Sequence, residues 1–317
     1  MKLIAICAIL MLTTGIYGSL LDFKWHLWRY KYEKSYLNKT EEQLRRQIWE
    51  SNWKMVVYHN KLADEGKKSY WLQMNQFADM TSDEMVQSTP TLSWNVRGLP
   101  VSVSKNGNIS IPEKLDWRDK NCVTEIKDQG KCKSCWAFSV VGTVESRYCV
   151  IHGCLYSFSV QQLVDCDKGN NGCLPGYPKN ACRYITSYGL MKEDDYPYNA
   201  TKNKCQYSRN RAIHIPVICK EYLSNKTIAE DVYKYGPASA AISVGTDFHL
   251  YCSGIYENQD CNKKNISHAV IIDGYGPGYW LIRNSWGVSW GIDGYVLLKR
   301  GVNLCHIEDH VLNVRVE

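Results

Sequence analysis

An α+β fold, a helical half followed by a sheet-rich half with a cleft between them, is what this chain of 317 residues predicts, with a small helical module in front. Three observations carry that expectation. Residues from about 20 to 70 are rich in Lys, Glu, Trp and Asn, nearly free of Gly and Pro, and carry apolar residues at helical spacing. From Ile111 onward Gly, Cys and Tyr become frequent. After Ile213 the pattern changes from helical to strand-like.

The elements follow in order. Thr40 to Leu62 places Leu44, Ile48, Val56 and Val57 on one helical face, and Tyr70 to Asp79 alternates like a short strand. Ser88 to Ser110, with its Pro and Gly and no clear period, reads as an exposed linker. Trp136 to Ile151 forms a helix whose apolar face (Ala137, Val140, Val141, Val144, Tyr148, Ile151) stops before Gly153. Ser159 with Gln162 resembles a helix cap, and Pro178 to Tyr188 reads as a further helix. Strands are expected at 240–244, 269–274, 279–284, 294–299 and 311–316.

Composition narrows the function classes. Hydrophobic content of 44% and charged content of 22% describe a globular chain, and the net charge of +6 is not gathered into a basic block. Nucleic acid and membrane surfaces therefore find little support as partners. Lys2 followed by a short apolar run and then Gly15, Gly18 and Ser19 reads as a secretory signal over 1–18, with no segment long enough to span a bilayer. Of 14 cysteines, Cys7 leaves with that signal; if Cys135 is a free thiol, twelve remain for bridges in an oxidising compartment. Cys132-x-x-Cys135 and Cys149-x4-Cys154 lack partner pairs at finger spacing, so no metal site is expected.

The chemistry lies in three segments: Gln129-Gly-Lys-Cys132-Lys-Ser-Cys135-Trp136, Ser-His268-Ala-Val and Arg-Asn284-Ser-Trp286-Gly. His268 and Asn284 lie 133 and 149 residues beyond Cys135. A thiol opening a helix, an imidazole and an amide to orient it form the set needed for nucleophilic catalysis by sulfur.

On those motifs the chain resembles papain-like cysteine proteases of the cathepsin L type over nearly its whole length. Ile111-Pro-Glu-Lys-Leu-Asp-Trp117 looks like a mature N-terminus. The resemblance implies an inhibitory prosegment over 19–110 and a mature peptidase domain over 111–317. That domain would have two lobes, one helical and one an antiparallel barrel-like sheet. Glu41, Arg45, Trp49, Asn52, Val56 and Asn60 fall on the family's interspersed prosegment motif, with Trp and Val for its usual Phe and Ile. Asn75, Phe77 and Asp79 match the later prosegment motif, with Gln73 for its Gly. The resemblance further implies that this segment blocks the cleft in a non-productive direction and loosens in acid as carboxylates such as Asp79 protonate.

Roles are carried over residue by residue. Cys135 is implied as nucleophile, His268 as acid and base, Asn284 as the holder of the ring, and Gln129 as an oxyanion donor with the Cys135 N–H. Trp286 would shield the His–Asn bond. Lys133, Gly176, Tyr177, Pro178, Ala241, Ala269 and His310 fall on positions along the substrate cleft. Lys133, Pro175 and His306 stand where the family has glycine, which narrows the expected site. The implied bridges are Cys132–Cys173, Cys166–Cys205 and Cys261–Cys305, with Cys122–Cys149 resembling an extra bridge of cathepsin B. Cys154, Cys182, Cys219 and Cys252 are left without assignment. Asn-x-Ser/Thr sites begin at Asn38, Asn108, Asn199, Asn225 and Asn265, the last three residues before His268. The reading is a secreted or lysosomal endopeptidase zymogen that acts through a thioester, needs no cofactor, and is a monomer. Its partners would be peptide or protein substrates, its own prosegment and cystatin-type inhibitors. The alternative is a weakened homologue that binds peptides or a partner through the same cleft.

Overall fold

A computed structural model describes residues 20–86, 110–222 and 227–317. The expected signal, most of the linker, and the sequons at Asn108 and Asn225 lie outside the described residues.

The N-terminal module is built from helix α1 (residues 20–31), helix α2 (Lys39–Asp64), strand β1 (Tyr70–Leu72) and a short helix α3 (Ser82–Val86). Asn38 caps α2 by accepting the Glu41 N–H at 2.9 Å, while Glu41 accepts the Leu37 N–H. Trp25, Trp28 and Trp49 meet where α1 crosses α2, with ring centroids 5.4–6.3 Å apart, and all three are buried. Burying a side chain of that class contributes about 1.5–3 kcal/mol. The strand expected to run from Tyr70 to Asp79 ends at Leu72. Beyond it the Asn75 side chain accepts the Phe77 N–H and Ala78 N–H bonds to Asn75 O, so the backbone turns instead of alternating.

The main domain has two cores. One holds helices α4 (Cys135–His152), α5 (Val160–Cys166) and α6 (Pro178–Tyr188). Ser159 caps α5 by accepting the Gln162 N–H at 3.0 Å. Gly153 closes α4 with a positive φ of 70° and bonds to Cys149 O, a conformation that glycine adopts without strain. Buried all along its middle, α4 lies between the two cores. Glu145 and Arg147 can be buried there because Lys127 and Asp231 pair with them at 2.7 and 2.5 Å.

The second core surrounds a curled seven-stranded sheet. Its members are β1, β2 (Leu115–Asp116), β4 (Ala238–Ser243), β5 (Tyr251–Tyr256), β6 (Ile266–Gly276), β7 (Tyr279–Arg283) and β8 (Tyr295–Lys299). The order is β1-β5-β8-β7-β6-β2, with β4 also on β6; only β5 and β8 run parallel. Strand β3 (Val217–Tyr222) pairs with β9 (Leu312–Val316), and their apolar residues enter the helical core. The division into halves is therefore not strictly sequential. The last strand serves the helical lobe, and Leu115, before that lobe begins, pairs with Tyr275 of the sheet. Helix α7 (Ile228–Tyr235), β3 and β5 lie outside the sequence expectation.

Among the described residues five cysteine pairs stand at disulfide distance: Cys122–Cys149, Cys132–Cys173, Cys166–Cys205, Cys182–Cys219 and Cys261–Cys305. Cys182 and Cys219, left unassigned on sequence, join α6 to β3. Cys135, Cys154 and Cys252 are free. Among the described residues no helix is long and apolar enough to cross a membrane.

Candidate active site

Cys135 is the first residue of α4, so its sulfur lies where the helix leaves backbone N–H groups unpaired. Ser134, which precedes it, makes no side-chain cap and instead shares a 2.6 Å hydrogen bond with the Tyr198 hydroxyl. Burial pushes the Cys135 thiol up. The backbone N–H groups of Ala269, Trp136 and Cys135 itself act the other way by favouring the thiolate.

The opposite wall is β6, which carries His268 and Ala269. Because Ala269 lies within hydrogen-bonding range of the sulfur, the preceding imidazole is on the same cleft wall. His268 is buried, and its Nε2 donates to Asn284 Oδ1 at 2.7 Å. The same Oδ1 accepts the Ser285 N–H at 2.8 Å, which fixes the amide's orientation and leaves Nδ1 as the ring's second nitrogen. Burial drives His268 down to about 4, with the Asn284 bond acting against it. Trp286 lies 4.9 Å from the imidazole at a 32° tilt and is itself 2% exposed, so water is kept from that side.

Gln129 is held from both lobes. Its N–H donates to Ser285 O at 2.9 Å, its Oε1 accepts the Ser285 hydroxyl at 2.7 Å, and its Nε2 donates to Cys132 O at 3.2 Å. Gln129 thus lines the same pocket as the thiol. That pocket is lined by Gln129, Lys133, Cys135, Pro175, Gly176, His268 and Ala269, together with Met85 of α3. A Cβ on Gly176 would stand 2.8 Å from the Trp136 ring, so this wall admits glycine only.

The remaining cleft residues distribute around this pocket. Tyr177 and Pro178 begin α6 directly after Gly176, with the Tyr177 N–H on Asn170 Oδ1 at 2.6 Å. Ala241 pairs across to Ala269, and its N–H donates to His310 O at 3.0 Å, so these three form one stretch of the sheet wall. Trp286 stands behind His268. Neither it nor Tyr177, Pro178, Ala241 and His310 lines the pocket around the thiol. Three contributors escaped sequence reasoning. Ser285 locks both Gln129 and Asn284, a role its place inside Asn-Ser-Trp could have suggested. Met85 enters the pocket from the N-terminal module, with no local signal. Asp247 anchors that module through the Tyr70 hydroxyl at 2.6 Å, a pairing across 177 residues.

The N-terminal module grips the sheet lobe beside this site. Phe77 packs edge-on against Trp286 at 5.8 Å, and Gln76 Nε2 donates to Trp286 O. Ile255 N–H donates to Ser69 O at 2.8 Å, where Gly254 takes a φ of 83° and a Cβ would collide with that carbonyl. Asn60 brackets Leu72 with bonds to its N–H and its carbonyl, and Asn52 donates to Ala78 O and Met80 O. Asp79, 3% exposed, takes Lys34 and the Tyr36 hydroxyl at 2.9 Å each.

Comparison with known proteins agrees with this arrangement. Residues 111–314 match the papain family cysteine protease model, and residues 25–85 match the cathepsin propeptide inhibitor domain. A cathepsin L-like proteinase of Fasciola hepatica is 40% identical over 316 residues, 94% of each chain. Cathepsin S of Bos taurus is 40% identical over 310 residues, covering 92% of this chain and 91% of that one. Among solved structures, digestive procathepsin L2 proteinase from Tenebrio molitor larval midgut superposes with a TM-score of 0.84 at 32% identity. That match covers 93% of this chain and 99% of the other.

Proposed function

The chain belongs to the papain family of cysteine proteases and is a cathepsin-like zymogen with its propeptide; from that premise we propose that Cys135, His268, Asn284 and Gln129 hydrolyse peptide bonds. The supporting observation is a free thiol at a helix N-terminus, sharing one cleft with an imidazole whose far nitrogen is tied to Asn284.

A lone charge is disfavoured on either group, since burial raises the thiol and lowers the imidazole. Moving the proton from sulfur to ring creates both charges together. Their attraction, the α4 dipole and the three backbone donors then offset the desolvation. The thiolate attacks the scissile carbonyl, and the oxyanion is received by the Cys135 N–H and Gln129 Nε2. The C–N bond breaks as His268 gives its proton to the leaving amine, which leaves a thioester. His268 then takes a proton from water, whose oxygen attacks the thioester. The acid departs and the thiol is restored.

Substrate lies extended along Gly176, with Tyr177, Pro178, Ala241, Ala269 and His310 receiving the second residue before the cut. Lys133, which lines the pocket beside Cys135, favours an acidic residue directly before the cut. Lys133→Gly lowers cleavage of Asp-bearing relative to Leu-bearing peptides; equal profiles in parent and variant refute this. Burial holds His310 below its ordinary value, so it favours the neutral ring and gains charge on acidification. His310→Ala removes the resulting pH dependence of second-residue preference, and an unchanged dependence rejects that role.

The signal ends at residue 18, the prosegment spans 19–110 and the mature domain 111–317. The route is lysosomal or extracellular, the enzyme is a monomer open to cystatin-type inhibitors, and it requires no cofactor beyond reducing conditions. Asn265, exposed beside the cleft residues Ile266 and Ser267, carries no glycan; glycopeptide mapping checks this. The acid-processed protein is expected to cleave extended peptides, and Cys135→Ala is expected to abolish cleavage. Full activity in that variant refutes the assignment.

A further inference from the structure

Three prosegment contacts converge on Asp247 and the turn Phe248–Leu250 that follows it in the sheet lobe. Asn75 Nδ2 donates to His249 O at 2.8 Å, the Gln73 N–H donates to Leu250 O at 2.8 Å, and the Tyr70 hydroxyl donates to Asp247 at 2.6 Å. Between them the His249 side chain is 1% exposed. Neither ring nitrogen makes a well-formed hydrogen bond among the described residues; the polar group facing it from the prosegment is the Met80 backbone.

The charged groups around the ring come from three elements. Asp247 belongs to its own turn, and Glu84 comes from α3. Lys264 precedes β6 and reaches Ser82 and Asp83 of α3 at 3.3 and 3.5 Å. Asp247 has its oxygens already engaged by Tyr70, Tyr256 and Asn258 at 2.6–3.0 Å. An imidazolium placed here would be shut away from water, beside a carboxylate whose two oxygens already accept three hydrogen bonds.

We infer that His249 is the acid trigger of the latent enzyme: its charged ring is incompatible with the docked prosegment, so acidification weakens the clamp through this one buried side chain. The inference deepens the zymogen reading by naming a regulatory group, and it rests on that reading only for its biological purpose.

The direction of the linkage follows from burial. Desolvation holds His249 down to about 4, with Asp247, Met80 and Glu84 acting against it and Lys264 reinforcing it. A solvated histidine titrates near 6.5, so the open state binds the proton at higher pH than the docked state. Docking is at full strength above pH 6.5, weakens as pH falls below it, and is weakest below about 4. A gap of that size corresponds to a loss of about 300-fold in docking equilibrium. Glu84 behaves differently. Burial acts to raise it, yet Thr81 and Arg45 hold it below the usual carboxylate range, so its pairing survives to more acid pH.

The test is hydrogen exchange of residues 70–86 in the full-length chain across pH 7 to 3.5, in a Cys135→Ser background that cannot process itself. The chain with His249 loses protection as pH falls from 6.5 towards 4, while His249→Gln and His249→Leu retain it about one pH unit further into acid. Equal midpoints in folded variants overturn the trigger. Should His249→Leu misfold, the smaller change to Gln carries the comparison. The C2-proton resonance of His249 in the unsubstituted background gives a second reading: titration near 6.5 with the prosegment still protected also overturns it. Exchange requires no catalysis. A chain that opens as described but cleaves no peptide sinks the peptidase reading and leaves the trigger intact. The reverse result does the opposite.

Discussion

Tyr70→Phe isolates one bond of the prosegment clamp. The Tyr70 ring is 1% exposed, packs against His59 at 4.3 Å and Tyr256 at 4.9 Å, and keeps those contacts as phenylalanine. What disappears is the hydroxyl donated to Asp247 Oδ2 at 2.6 Å. Burial first, and then Asp247, raise the Tyr70 hydroxyl, so it remains a donor throughout the working pH range. With Tyr256 and Asn258 both on the other oxygen, Oδ2 is left without that donor in the docked state. A hydrogen bond to a charged group contributes about 1.5–3 kcal/mol, equivalent to about 10- to 150-fold in docking. Once the prosegment lifts, water reaches Asp247, so the loss falls on the docked state. The assay is the rate of conversion to the mature form at a fixed mildly acid pH, together with exchange protection of residues 69–73. Conversion accelerates within that range and protection falls. An unchanged rate with unchanged protection refutes the claim that this pairing helps to hold the prosegment.

Other perturbations act on the site itself. Asn284→Ala removes the 2.7 Å bond that orients His268, so kcat/KM falls about 10- to 100-fold with little change in the far-ultraviolet spectrum. Gln129→Ala lowers kcat about 10²- to 10³-fold with KM nearly unchanged, as expected for a donor used only in the transition state. Gly176→Ala forces a methyl to within 2.6 Å of Asn170 Oδ1 and 2.8 Å of the Trp136 ring. It costs about 1–3 kcal/mol by denaturant unfolding and lowers peptide affinity.

Much of the helical lobe could be read from the sequence because its signals are local. Proline at the first turn and glycine after the last bound Pro178–Tyr188, and Ser159 three residues before Gln162 marks the start of α5. Where the signals are not local, the reading failed. Helix α7 is only eight residues long and mixes charge with apolar residues, and β5 carries Tyr, Cys, Ser and Gly without alternation. Its burial is set by β8 on one side and by the prosegment strand on the other. That β9 returns to the helical lobe could not be seen, since periodicity reports element type and not partner. Gln129, Cys135 and His268, picked out through their motifs, line one pocket. The contacts that position them, Ser285 on Gln129 and Met85 in the pocket, depend on segments far apart in sequence.

The pH dependence of Cys135 alkylation by iodoacetate in the acid-processed enzyme tests the central claim most directly. An ion pair with His268 predicts rapid labelling well below pH 8, confined to Cys135, and lost on His268→Ala. Labelling that rises only above pH 8, like an ordinary thiol, or that maps to Cys154 or Cys252, contradicts the account.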